Sequence, residues 1–225
     1  MTYSFALQTE EPACFVFGAG VFYGLKNKPK PGDLVIAADG GMAVLEHCGI
    51  HADVVLGDFD SAPLEKAEEE SKAGAELARL SETKDRSDSA AALLLGEARG
   101  YRRFYLYGCT GGRLDHTLAS IQDLAALSKR GHMAYLFDQD AVLTALTDGT
   151  LVFPEGMRGT VSVFSHSDVS SGVRESGLKY IVAEHRLENT FPLGLSNEFT
   201  KLPASISVGE GTLIIYASLS ACAAG

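Results

Sequence analysis

The sequence predicts an α/β N-terminal domain on a mostly parallel, doubly wound sheet, followed by a compact C-terminal all-β domain, a sandwich or a barrel. Three observations carry this reading. Short apolar runs alternate with helical patterns from Ala13 to Phe137, the grammar of βαβ units. Beyond Asp138 the runs shorten, are separated by Gly, Pro, Ser and Asp, and show no strong helical stripe. A chain of 225 residues is long enough for two cores, so residues 1–138 and 139–225 are the expected domains.

Taken in order, Ala13–Phe17 reads as a strand ending at Gly18-Ala19-Gly20. Leu34–Ala38 is a second, followed by Asp39-Gly40-Gly41, and Met42–Cys48 is helical with Gly49 as its stop. Val54–Leu56 is a buried strand. Ala62–Ala73 is a surface helix with Pro63 in its first turn, and Glu76–Leu80 alternates as a strand. Asp88 can cap a helix that runs to Arg99 and closes at Gly100. Arg103–Tyr107 is β-rich. After the Gly108–Arg113 loop, Leu114, Leu118, Ile121 and Ala125 form one stripe of a helix ending near Arg130. Ala134–Phe137, Val142–Leu146, Leu151–Phe153, Thr160–Phe164 and Leu213–Tyr216 complete the expected strands.

The net charge of −10 disfavours nucleic-acid and anionic-membrane partners, because such a surface repels both. No apolar stretch approaches the length of a membrane span, and no basic segment followed by an apolar run opens the chain. The four cysteines lack metal-site or redox spacing, as expected of buried thiols in a reducing compartment. A cytoplasmic location is the expectation.

The acidic residues are the most informative feature. Asp58 and Asp60 flank Phe59 directly after an apolar strand. Asp39 follows the second strand, Asp85 and Asp88 the fourth, and Asp115 the fifth. In a parallel sheet these positions share the carboxyl edge, where open α/β sheets bind ligands. Clustered carboxylates raise one another's pKa unless a cation sits among them. Mg2+, which takes oxygen ligands and serves phosphates, suits Asp58, Asp60 and Asp88 as ligands.

Gly111-Gly112-Arg113 supplies the complement, a backbone that can approach phosphate and a planar fork of donors. Three roles are open to Asp115: metal ligand, orienter of Arg113, or helix cap. His116 can serve as acid/base, phosphate contact or structural hydrogen-bond partner. Lys84 can neutralise phosphate charge. Gly18-Ala19-Gly20 misses the dinucleotide spacing, and P-loop and nucleophile-elbow motifs are absent from the sequence. Positioning and electrostatic stabilisation of phosphoryl-type transfer therefore fit better than covalent hydrolysis.

Six segments together resemble the thiamine pyrophosphokinase family, bacterial type. They are Ala37-Ala38-Asp39-Gly40-Gly41, Gly57-Asp58-Phe59-Asp60-Ser61, Lys84-Asp85-Arg86-Ser87-Asp88, Gly111-Gly112-Arg113-Leu114-Asp115-His116, Gly177-Leu178-Lys179-Tyr180 and Gly194-Leu195-Ser196-Asn197-Glu198. The resemblance implies a homodimer in which ATP and Mg2+ bind along the acidic edge and thiamine lies at the subunit interface. It implies Asp58, Asp60 and Asp88 as the metal group, with Asp39, Asp85, Arg113 and Asp115 completing the cleft. It also implies Ser196 and Asn197 as thiamine contacts; on chemistry alone Ser-Asn in a β-rich half is a turn. Two other readings compete: a metal-dependent glycosyltransferase or phosphoesterase using the Asp-x-Asp pair, and a thiamine- or nucleotide-binding module without catalysis.

Overall fold

The computed structural model describes residues 1–57, 70–72, 74–79 and 87–219. It divides into two compact units. One holds Thr9–Asp123 and Leu136–Asp138; the other holds Met1–Gln8, Leu124–Tyr135 and Gln139–Gly225. The second therefore takes in the N-terminal strand β1 (Thr2–Ser4), which a cut at residue 138 would leave with the first.

In the α/β unit, β2 (Cys14–Phe17), β3 (Leu34–Ala38), β4 (Val54–Gly57), β5 (Glu76–Arg79) and β6 (Arg103–Tyr107) run parallel in the order β6-β2-β3-β4-β5. Every residue of β2, β3 and β4 is buried, so both faces of the sheet centre are covered. Continuous apolar runs such as Leu34-Val35-Ile36-Ala37-Ala38 are what such strands require. The chain steps from β2 to β5 in one direction and then places β6 on the other side of β2. That reversal between β2 and β6 opens a crevice at the carboxyl ends. Beneath it, Phe17 stacks on Tyr107 at 5.4 Å between centroids, and Tyr107 on Phe137 at 4.5 Å.

Helix α1 (Gly41–Cys48) packs on β2 and β3, and ends at Gly49 in the left-handed conformation, as expected. Helix α2 (Asp88–Ala98) also packs on β2 and β3. Its cap is Ser87, whose side chain accepts from the Ala90 N–H at 3.2 Å; Asp88, expected as the cap, begins the first turn instead. Of the surface helix expected over Ala62–Ala73, residues 70–72 are described and helical; the remainder lies outside the described residues.

Helix α3 (Leu114–Lys129) and strand β7 (Met133–Phe137) each contribute residues to both units. The expected α3 stripe is only partly buried. Leu114 is 72% exposed and Leu118 55%, whereas Ser120, Leu124, Ala125, Leu127 and Ser128 are buried. The helix begins to pack inward only at Ser120, because its first two turns carry polar groups of the crevice described below.

The β unit contains β8 (Ala141–Thr147), β9 (Thr150–Phe153), β10 (Arg158–Ser165), β11 (Val169–Ser176), β12 (Val182–Glu188), β13 (Gly194–Thr200), β14 (Ala204–Ser207) and β15 (Thr212–Ser218). Strands pair in the orders β13-β10-β15-β8 and β1-β9-β14-β11-β12, antiparallel except for β1 with β9. Leu151, Phe153, Val161, Val173, Ile206, Leu213 and Ile215 are fully or almost fully buried and form its core. Strands β1 and β11–β14 were not expected. Strand β12, Val-Ala-Glu-His-Arg-Leu-Glu, is exposed along most of its length, so it lacks the period-two alternation that marks a half-buried strand. Among the described residues no helix is long and apolar enough to cross a membrane.

Candidate active site

A cavity of about 490 Å3 opens at the carboxyl ends of β2, β3 and β6. Ala19 and Gly20 line it from the loop after β2, Ala38 and Asp39 from the end of β3, and Gly108, Cys109 and Thr110 from the loop after β6. Ser87, Asp88 and Ser89 enter from the start of α2; Gly112, Arg113, His116 and Thr117 enter from the start of α3. Two helix N-termini thus face one cavity, where unpaired N–H groups and the positive end of each helix dipole favour an anion.

The loops after β2 and β6 run side by side. Gly20 N–H donates to the Gly108 carbonyl at 2.6 Å, and Val21 N–H to the Thr110 carbonyl at 2.9 Å. A Cβ on Gly20 would meet the Thr110 carbonyl oxygen at 2.5 Å, so only glycine permits this approach. Thr110 is anchored in turn by its hydroxyl, which donates to Asp138 at 2.9 Å. Asp39 holds a positive φ of 52°, and its N–H donates to the Leu56 carbonyl at 2.9 Å. Aspartate is among the few side chains that tolerate this conformation.

Arg113 and Asp115 form a two-pronged ion pair, Nε to Oδ1 at 3.1 Å and Nη2 to Oδ2 at 2.5 Å. The hydrogen bond lowers the Asp115 pKa and raises that of Arg113. Of the three roles open to Asp115, the geometry displays the orienting one. The pair uses two of the five guanidinium N–H donors and leaves those of Nη1 and the second of Nη2 for an outside acceptor. Cys109 is a poor nucleophile: burial pushes its thiol up to about 11.

The structure therefore gathers Asp39, Asp88, Gly112, Arg113 and His116 around one cavity, with Gly111 and Asp115 alongside. Asp58, Asp60, Lys84 and Asp85 lie outside the described residues. The lining hydroxyls of Ser87, Ser89, Thr110 and Thr117 escaped the sequence reading, as did Ala19 and Gly20 in their role here. Their position after β2 and β6, on the same edge as the acids, was the available signal.

Ser196 and Asn197 belong to the β unit, on β13. Ser196 is exposed, with φ 64°, and its N–H donates to the Ser162 hydroxyl at 3.0 Å. Asn197 is buried, and its amide is fully used. Oδ1 accepts from the N–H groups of Tyr180 at 3.0 Å and Glu198 at 2.9 Å. Nδ2 donates to the Tyr180 carbonyl and to Glu175 Oε2, both at 2.8 Å. An amide with four partners holds the fold and has no bond left for a ligand.

Burial raises the Glu175 pKa, opposed by the Asn197 hydrogen bond and by His185. The folded chain thus holds the proton to higher pH than the unfolded chain. Its stabilising share is complete below the unfolded carboxyl range and falls away as pH rises through the folded pKa. Glu175→Gln cannot ionise, so its melting temperature should gain on the parent as pH rises through the range above the unfolded carboxyl pKa. A difference that stays flat across that range would contradict the shift.

Residues 26–136 match the family model described as thiamin pyrophosphokinase, catalytic domain. A thiamine pyrophosphokinase of Bacillus subtilis (strain 168) is 26% identical over 186 residues, spanning 82% of this chain and 87% of that protein. The crystal structure of thiamine pyrophosphokinase from Bacillus subtilis superposes with a TM-score of 0.81 at 24% identity, covering 92% of this chain and 98% of that one. The enzyme from Geobacillus thermodenitrificans gives 0.79 at 25% identity, covering 92% and 97%. That from Candida albicans gives 0.75 at 14%, covering 93% and 89%, a likeness of fold alone. The matched residues lie over most of the cavity-forming strands and helices, so this part of the chain is similar to the catalytic domain of thiamin pyrophosphokinases, a family of enzymes.

Proposed function

We propose that the chain transfers the diphosphate of ATP to the hydroxyl of thiamine, releasing AMP, in an Mg2+-dependent reaction. The carrying observation is the cavity at the β2/β6 reversal, where Asp39, Asp88, Arg113 and two helix N-termini converge. The donors fit the metal: carboxylates and hydroxyls without thiolate or clustered imidazole suit a hard cation. Asp58, Asp60 and Asp88 are the residues that would hold it. When bound, Mg2+ would offset phosphate charge and ease departure of AMP.

The thiamine oxygen forms a bond to the β-phosphorus as the bond from that phosphorus to the AMP oxygen breaks. The hydroxyl proton leaves with solvent or a cavity carboxylate. Arg113, kept oriented by Asp115, donates from Nη1 toward a phosphate oxygen. The helix N-termini of α2 and α3 stabilise the equatorial charge without having to reorganise. Gly112 keeps the backbone close enough to donate, while Gly20 holds the loop after β2 against the loop after β6.

We read the fold further as a doubly wound catalytic domain and a β-sandwich that supplies thiamine contacts through Ser196, in a homodimer with the site at the subunit interface. Exposed Tyr180, Ile181, Phe191, Leu193 and Leu195 around β12 and β13 support a second copy as partner. Incubating the protein with ATP, Mg2+ and thiamine, with products identified by mass, tests the reaction. Thiamine-dependent AMP and thiamine diphosphate are expected; AMP release without thiamine diphosphate would refute it. Ser196→Ala should raise the thiamine KM about fivefold and leave the ATP KM unchanged. An unchanged thiamine KM removes Ser196 from the acceptor site.

A further inference from the structure

Ser196 occupies an irregularity in β13. Val161 pairs with Asn197 and Val163 with Gly194, so two steps along β10 face three along β13. This is a β-bulge, a device that re-aims a side chain, and the positive φ of Ser196 lies within it. A bulge with a non-glycine residue at positive φ persists only where its surroundings over-determine it.

Two groups do so here. The buried Ser162 hydroxyl accepts the Ser196 N–H from the β10 side. On the other side, Asn197 closes the bulge and clamps Tyr180 by both its N–H and its carbonyl. The clamp is extended by Lys179 N–H to the Glu198 carbonyl at 2.9 Å and by the Thr200 hydroxyl to the Gly177 carbonyl at 2.7 Å. One Asn197 N–H remains, and it donates to Glu175.

Glu175 sits in β11, only 3% exposed. The other buried positions of that strand are Ser170 and Val173, and an acid beside them brings a desolvation cost that packing does not explain. Its carboxyl is an acceptor aimed at the Asn197 amide. Without it, a buried N–H would lose its partner, and the amide would be free to turn away from Tyr180.

We propose that Glu175 is a positioning residue for the acceptor half of the site: through Asn197 it holds the β13 bulge that presents Ser196, without itself touching substrate. This rests on the assignment of Ser196 to thiamine. The three variants Glu175→Asp, Glu175→Leu and Glu175→Gln differ in reach, polarity and charge. Asp keeps the acid but withdraws the acceptor by one methylene; Leu removes the acceptor; Gln keeps its reach and an acceptor oxygen.

Steady-state kinetics on the full chain with ATP, Mg2+ and thiamine should show the thiamine KM raised about tenfold in E175D and E175L, with the ATP KM within about twofold of the parent. E175Q should restore the parent value. If E175L does not fold, E175D against E175Q decides. The proposal is overturned if E175D leaves the thiamine KM unchanged, if both KM values rise together, or if E175Q is as impaired as E175D. Ser196→Ala separates the two readings. A thiamine effect in S196A but none in E175D refutes the role of Glu175 alone, whereas no effect in either refutes the acceptor assignment and the proposal with it.

Discussion

Asp88→Asn should lower kcat by roughly two to three orders of magnitude while leaving the melting temperature within a few degrees of the parent. The separation follows from the division of labour at the start of α2. Ser87 makes the capping bond to Ala90, so the helix does not depend on the Asp88 carboxylate for its N-terminus. In the first turn the Asp88 carboxylate adds a favourable dipole interaction of about 0.3–1 kcal/mol. Its charge lies on the cavity wall, where the proposed Mg2+ and polyphosphate need it. Ser87→Ala is the converse, costing about 1 kcal/mol in stability through the lost cap. Kinetics and thermal unfolding of both variants check the pair. Near-normal kcat in D88N at saturating Mg2+ would remove Asp88 from the metal group.

Gly41→Ala should destabilise the chain by about 3 kcal/mol or more, lowering the melting temperature by about 10 °C. Helix propensity alone points the other way, since alanine inside a helix is favoured over glycine by about 1 kcal/mol. Sterics outweigh it. A Cβ on Gly41 would lie 1.9 Å from the Phe17 carbonyl oxygen and 2.5 Å from its carbon, both backbone atoms of the central strand. To relieve the overlap, α1 would have to lift from β2, disturbing the adjoining Asp39 turn. Thermal and denaturant unfolding measure the loss. A melting temperature at or above the parent's would show that α1 can shift without cost.

Much of the α/β unit was legible because its signals are local. The fully buried strands β2, β3 and β4 are contiguous apolar runs, and the Met42–Cys48 pattern with Gly49 behind it led to α1 within one residue. Strand ends then placed Asp39, Asp88 and Arg113 on one edge, since parallel strands share a direction. The polar strands of the β unit were illegible for the opposite reason. Leu-Ser-Asn-Glu within β13 exposes three of its four residues, so pairing rather than apolar alternation makes it a strand.

Composition, periodicity and strand-end placement were enough to read out a parallel sheet, a β-rich second half and the place of Asp39, Asp88 and Arg113 on the cavity wall. Each depends on residues a few positions apart. The assignments that needed folded coordinates join distant residues or neighbours with interchangeable chemistry: Ser87 rather than Asp88 as cap, Asp115 as partner of Arg113, Asn197 as clamp rather than ligand. The clearest is Glu175 and Asn197, 22 residues apart in sequence yet 2.8 Å apart in space. Sequence spacing carries no record of such a contact. It exists because β11 and the bulged β13 are brought to one buried point, where an acid without a partner could not have stayed.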